Sequence, residues 1–318
     1  MTDSDSSNIE ESLDSKKGFV TFKNYLLGLS YLIDNLHPTY QALESSIEEL
    51  AINPSVDANS LRKMLFNSWN TELLLLAPTL FTKELIKYSN HWAAVQCYYS
   101  IYLSIRALFQ AKGLQVEERH EKALEAIQGQ ILMNSIVPAP WNLLLTHDGY
   151  KNLPATKLEK CSNLENPYFF QTNTAKLWNC PMRFIKTTRE LEIEKRSIRW
   201  KKKNQRKKLP KGKDAEIDRD IRPFSIFDCL YRLRIRSNYE EADMYISSAE
   251  FEAENYIEAI CNITDKTLFV VERQILSLIG KEKMLSFVNA FTSRQKDTSS
   301  IFENAETGIF RRAEYFKI

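Results

Sequence analysis

From Phe19 to about Leu50 the apolar positions return every three or four residues, the period of a helix with one buried face. Tyr25, Leu29, Leu32 and Leu36 form one stripe and Tyr40, Leu43, Ile47 and Leu50 a second. His37-Pro38 predicts a break between them, because proline disfavours helical backbone in the residue before it. Asn53, Pro54 and Ser55 predict a turn, and Asp57 to Ser60 supply caps for a helix carrying Leu61, Met64, Leu65 and Trp69. Leu85 opens a longer helix through Ala111. Ala94, Tyr98, Ile101, Ile105 and Leu108 make one face of it, widened by Val95, Tyr99, Tyr102 and Ala107. A helix apolar almost all round belongs at the centre of a bundle, and Gly113 predicts its C-terminal cap.

A short helix is expected from about Glu117 to Leu132, after which the pattern dissolves. Pro138, Pro140, His147 to Gly149, Pro154 and Asn166-Pro167 read as an irregular, aromatic-bearing insertion. Helical order is expected again from about Ser225 to Ile279, closed by Gly280 and followed by a weaker helix with a polar tail. The chain has only 8 glycines and 10 prolines in 318 residues, too few for the turns of a sandwich or for phosphate loops. The expectation is therefore all-α, an antiparallel helical bundle. Its parts are an acidic, disordered tail over 1–17, an N-terminal helical segment over 18–84, a bundle core over 85–134 and 225–280, an insertion over 135–224, and a C-terminal helix and tail over 281–318.

The net charge of +2 conceals an asymmetry along the chain. Asp3, Asp5, Glu10, Glu11 and Asp14 make the first segment acidic, whereas the insertion carries "KRSIRWKKKNQRKKLPKGK", Lys195 to Lys213. A run including Arg199, Lys201, Lys202, Lys203, Arg206, Lys207 and Lys208 repels itself unless countered. Pairing with a polyanion releases condensed counterions, which gives salt-dependent, sequence-independent binding. Trp200 amid these cations could stack on an unpaired base. The plainer reading is a solvated loop countered by an acidic partner or by the chain's own N-terminus. Cys97, Cys161, Cys180, Cys229 and Cys261 stand far apart with no CxxC pair, so no metal, cofactor or disulfide framework is indicated. No leader is seen and Leu73 to Ala77 is too short to span a bilayer; a cytoplasmic location without membrane binding is expected.

"YYSIYLSIRALFQAKG", then "EERHEKALEAI", and far downstream "CLYRLRIRSNYEEADMY" together resemble the HEPN superfamily, most closely the small HEPN proteins paired with minimal nucleotidyltransferases. Tyr98 and Tyr99 match that group's tyrosine pair, Arg106, Ala107 and Leu108 its Arg-Ala-Leu, Gly113 its glycine and His120 its histidine. Leu233, Arg234, Ser237, Asn238 and Tyr239 match the start of the later helix, with Asn in place of Asp; Tyr256 and Ala259 continue the closing helix. The resemblance covers about 85–130 and 225–275. It implies a helical bundle, often a homodimer, and a role in prokaryotic defence or a toxin-antitoxin system.

HEPN ribonucleases cleave RNA without metal by an Arg followed about four to six residues later by a His. The imidazole handles a hydroxyl proton and the guanidinium presents a fixed, forked charge to phosphate. Counting on from Arg232, Arg234 and Arg236 reaches Arg236 to Ala242 and no histidine. A catalytic centre would have to bring His120 from another helix to Arg234 or Arg236, with Tyr239 as polar partner; Arg234 is the candidate for catalysis, and Arg236 joins the basic run in holding nucleic acid. Two function classes stay open. One is a protein that binds nucleic acid, RNA by preference, and cleaves it; the other is a non-catalytic helical module that dimerises and docks a defence-system partner protein.

Overall fold

The computed structural model describes residues 3–47, 49–81, 86–115, 118–129, 137–153, 177–240, 253–294 and 308–317, without side chains at 3–19, 80, 81, 87, 88, 239, 240, 253 and 317. The fold is all-α, with a single two-stranded hairpin among the described residues. α1 (Asp3–Leu36) ends at the expected break, and α2 (Tyr40–Glu44) begins after it. Asp57 accepts from the backbone N–H groups of Asn59 at 3.0 Å and Ser60 at 3.3 Å, capping α3 (Ala58–Phe81). α4 (Ile86–Ala111) follows, and its Ala94, Tyr98, Ile101, Ile105 and Leu108 are all buried. It lies between α3 on one side and α9 (Ala253–Ile279) on the other, the central place its apolar circumference requires. Gly113, at φ 73°, turns the chain off α4: Leu114 N–H reaches Phe109 O at 2.9 Å and Gly113 N–H reaches Gln110 O at 3.1 Å.

Two expectations need correction. α1 runs back to Asp3, through the segment read as a disordered tail. The described parts of the insertion, 137–153 and 177–224, are also more ordered than their composition implies, while Pro154 and Asn166-Pro167 lie outside the described residues. After α5 (His120–Ile127) the insertion forms the hairpin β1 (Leu144–Thr146) and β2 (Gly149–Lys151), then a 25-residue helix, α6 (Asn179–Lys203), and α7 (Lys213–Arg219). Only the first turns of α6 are buried, through Cys180, Phe184, Ile185, Thr188 and Arg189. Arg189 is held there by Asp218 Oδ1 at 2.7 Å and the Arg222 carbonyl at 2.8 Å, so a polar letter stands at a buried position. α6 packs on α1 where Gly28 leaves no room for a methyl group beside the Cys180 side chain. Leu145 exchanges backbone hydrogen bonds with Phe224, at 2.8 and 2.9 Å. That pairing sets the start of α8 (Ile226–Ile235), closed by a Ser225–Asp228 capping box. No described helix is long and apolar enough to cross a membrane.

The helix expected after Gly280 is α10 (Lys281–Arg294), and the polar tail expected beyond it holds a further helix, α11 (Gly308–Lys317), docked into the core by Ile309, Ala313 and Phe316. Arg312 is fully buried and all five of its N–H groups are used. They bond Glu72 at 2.5 and 2.7 Å, Glu272 at 2.8 and 3.0 Å, and Asp265 at 2.7 Å. Trp69 Nε1–H also donates to Glu272, at 2.7 Å, and Tyr40 OH donates to Asp265. Burial disfavours the guanidinium's charge, but Glu272, Glu72 and Asp265 hold Arg312 protonated.

Replacing Arg312 with Met strands three buried acids, and the expected cost is roughly 3–5 kcal/mol in urea unfolding. Burial, helped by the Asp265 and Glu272 charges against the pull of Arg312, pushes Glu72 up from 4.5 to about 7. The unfolded chain therefore ionises Glu72 before the folded one does. Its contribution to stability is complete below pH 4.5 and is lost as pH rises to about 7. Unfolding free energies measured across that window are expected to decline with pH in the wild type and to be flatter in Glu72→Gln.

Candidate functional site

Three elements bring their polar residues together at one edge of the bundle. α4 presents Tyr98, Tyr99 and Tyr102, α5 opens with His120, and α8 presents Tyr231 and, one turn on, Arg234. The entry to α5 is pinned by Tyr102 OH, which donates to the Glu118 carbonyl at 2.9 Å. His120 is half-buried among the four phenol rings, with centroids 4.5 Å away at Tyr102, 5.4 Å at Tyr98, 5.6 Å at Tyr231 and 5.7 Å at Tyr99. Its Nδ1 lies 2.9 Å from Tyr98 OH. Arg234 donates to Tyr99 OH at 2.7 Å, and its guanidinium stands 5.2 Å from the Tyr99 centroid and 6.0 Å from that of Tyr231.

The electrostatics keep the imidazole neutral. Burial lowers the His120 pKa below 6.5, and the charges of Arg234 and Arg106 lower it further. Tyr98 is pushed upward by burial and by Tyr231 and Tyr102 nearby, so it remains a phenol. When Tyr98 donates to Nδ1, the imidazole keeps its proton on Nε2; when Tyr98 accepts, Nε2 is a free base. Both arrangements are neutral, so neither places a net charge among the rings.

Of the residues expected at a site, His120 and Arg234 do meet, around Tyr99 and Tyr231. The Tyr239 side chain lies outside the described residues; its backbone belongs to a wide π-type turn, Arg236–Glu240. Arg236 faces elsewhere, 4.5 Å over the Phe22 ring of α1. Arg232 shares that face, bonding Thr187 at 3.0 Å and Thr188 at 3.1 Å. Trp200 is half-buried, with the Lys213 ammonium 5.8 Å over its ring, so one face is already covered. Lys201, Lys202 and Lys203 form the last turn of α6, where cations suit the helix C-terminus, and Arg206, Lys207 and Lys208 are exposed just beyond. Among the described residues Lys195, Arg199, Lys201, Lys202, Lys203, Arg206, Lys207 and Lys208 have no ion-pair partner.

A groove of about 630 Å³ runs between α5, α6 and α8, and Tyr231 forms part of its wall as well as part of the histidine's surroundings. Seven basic and five acidic side chains line it. Three pairs cancel: Arg196 with Glu192 at 2.8 Å, Arg222 with Asp228 at 2.5 Å and Lys122 with Glu125 at 2.9 Å. Lys195 and Arg199 remain exposed along the α6 side. No group of three His, Cys, Asp or Glu residues able to hold a metal ion occurs among the described residues. The ring of tyrosines around His120 was the part that sequence reasoning missed. The signal was the spacing of Tyr98, Tyr102 and Arg106, one residue per turn along one face of α4.

Comparison with protein-family models, with curated proteins and with solved structures found no match to this chain.

The His120 ring is expected to titrate below 6.5 by NMR, and Arg234→Gln should raise that value by removing a nearby positive charge. An unchanged value in the variant would mean that the imidazole does not feel Arg234.

Proposed function

We propose that this is a HEPN-like RNA-binding protein that cleaves RNA without a metal ion, with His120 as the base and Arg234 as the phosphate-facing cation. The observation that carries the reading is the meeting of His120 and Arg234 at one tyrosine cluster whose wall, Tyr231, continues into a groove bordered by unpaired cations of α6. In the tautomer with Nε2 unprotonated, His120 takes the proton of a ribose 2'-hydroxyl. The 2'-oxygen bonds to the adjacent phosphorus and the bond to the 5'-oxygen breaks, the leaving oxygen gaining a proton from water. The charge that builds on the phosphorane falls to Arg234. Lys195, Arg199 and the cations of Lys201 to Lys208 supply sequence-independent grip on the flanking phosphates. The reading carries with it a cytoplasmic homodimer acting in a prokaryotic defence or toxin-antitoxin system.

One observation favours the second reading, a non-catalytic module that docks a partner protein. Arg234 is only 8% exposed and already engages Tyr99, the behaviour of a structural cation.

Incubating the protein with labelled single-stranded RNA in chelator, at low and high salt, separates the two. The expected result is cleavage to a cyclic phosphate end, reduced at least about a hundred-fold in His120→Ala and in Arg234→Ala. The rate should rise with pH through a value below 6.5 and then level off, as the imidazole loses its proton. Replacing Lys201, Lys202 and Lys203 with Gln should leave cleavage at saturation intact and lower the salt dependence of binding by about one unit for each phosphate no longer neutralised. Salt-sensitive retention without cleavage would leave an RNA-binding module, and neither signal would favour partner docking.

A further inference from the structure

One stripe of α4 stays at least partly open to solvent among the described residues, even where α5 and α8 approach it at Tyr99. Trp92, Gln96, Tyr99, Leu103 and Arg106 follow one another at spacings of three and four residues, and each is exposed or half-buried while the residues between them are buried. Trp92 is 50% exposed, one of the few large apolar side chains in the described chain that reach solvent. Seven residues separate it from Tyr99, almost two whole turns, so the two side chains leave the helix within about 20° of each other and about 10 Å apart along its axis. Tyr99 is the ring that holds Arg234 and borders His120. The only ring contact of Trp92 among the described residues is with its chain neighbour His91, at 5.6 Å.

From this register we infer that Trp92 is a stacking platform for an unpaired base of the bound strand, next along from the nucleotide held at His120. The inference rests on the RNA-cleaving reading of the His120 site and adds to it a binding residue. Stacking requires a flat, water-exposed π face at a fixed distance from the chemistry, and a base in a duplex has no face to offer. Trp92 supplies that face, and the rigid helix fixes the distance. The polar and charged company of Gln96 and Arg106 suits a nucleotide, whose base is apolar and whose backbone is anionic, better than the continuous apolar surface a second copy of the chain would bury. Trp200, whose face is occupied by Lys213, is the poorer platform of the two.

The test uses full-length His120→Ala, which leaves RNA intact, and compares its affinity for a fluorescent single-stranded oligoribonucleotide with that of the same protein carrying Trp92→Ala or Trp92→Phe. The expected result is about ten-fold weaker binding for Trp92→Ala and near-complete rescue by Phe. The salt slope should not change, since an indole neutralises no phosphate. A duplex of the same sequence should bind equally to all three. Equal affinity for the single strand in Trp92→Ala would overturn the platform while leaving the RNA reading standing. A change in oligomeric mass by light scattering in Trp92→Ala would overturn it in favour of a self-association surface. No binding by His120→Ala and no cleavage by the wild type would remove both proposals together.

Discussion

The buried guanidinium of Arg312 is the constraint on which the arrangement of helices depends. A single positive charge is surrounded by three acids from two other helices, α3 and α9, and Trp69 and Tyr40 complete the hydrogen bonds of those acids. Moving such a group out of water is costly, and the cost is offset only when every donor and acceptor finds a partner in good geometry. Here all the guanidinium donors do. The consequence is rotational: Asp265 and Glu272 lie seven residues apart on α9, so both can face Arg312 in only one orientation of that helix. The remaining faces of α9 then meet α4 and α1.

With α9 and α3 fixed, α4 can turn only one stripe outward. That stripe carries Tyr99 and Arg106, with Tyr98 and Tyr102 at its flank, and against it the chain lays α5 and α8. Gly113 returns the chain tightly enough for His120 to reach the phenols of α4. The Leu145–Phe224 pairing and the Ser225–Asp228 cap set where α8 begins, which places Tyr231 and Arg234 one turn apart on the same cluster. The insertion thus does two things: it delivers α8 in register, and it supplies in α6 the cationic side of the neighbouring groove.

The chemistry of the cluster follows from its low polarity. Phenols, an imidazole and a guanidinium share a half-dry space in which Arg234 and Arg106 discourage a second positive charge on the histidine. A neutral imidazole beside a fixed cation is suited to taking a proton while an anion is stabilised, a division of labour that a charged imidazole could not begin. The unpaired cations of α6 lie outside that space, exposed to water, where they act at longer range and yield to salt.

Local patterns were enough for the features that depend on neighbours in the chain. The apolar circumference of α4, the break at His37-Pro38, the Asp57 cap and the turn at Gly113 each follow from residues within a few positions of one another, and all are present. The separation of Arg234 from Arg232 and Arg236 onto different faces is likewise a matter of helical period. What only the tertiary structure decided is where a polar letter is buried. Arg189 holds α6 in the core, and Arg312 turns an apparent polar tail into the carrier of a fully buried charge. His120 and Arg234 were candidates from the sequence, but their meeting depends on three helices converging. Period and propensity are properties of a short stretch, whereas the pairing that makes a buried charge tolerable comes from residues 29 to 240 positions away, and no short stretch of sequence contains it.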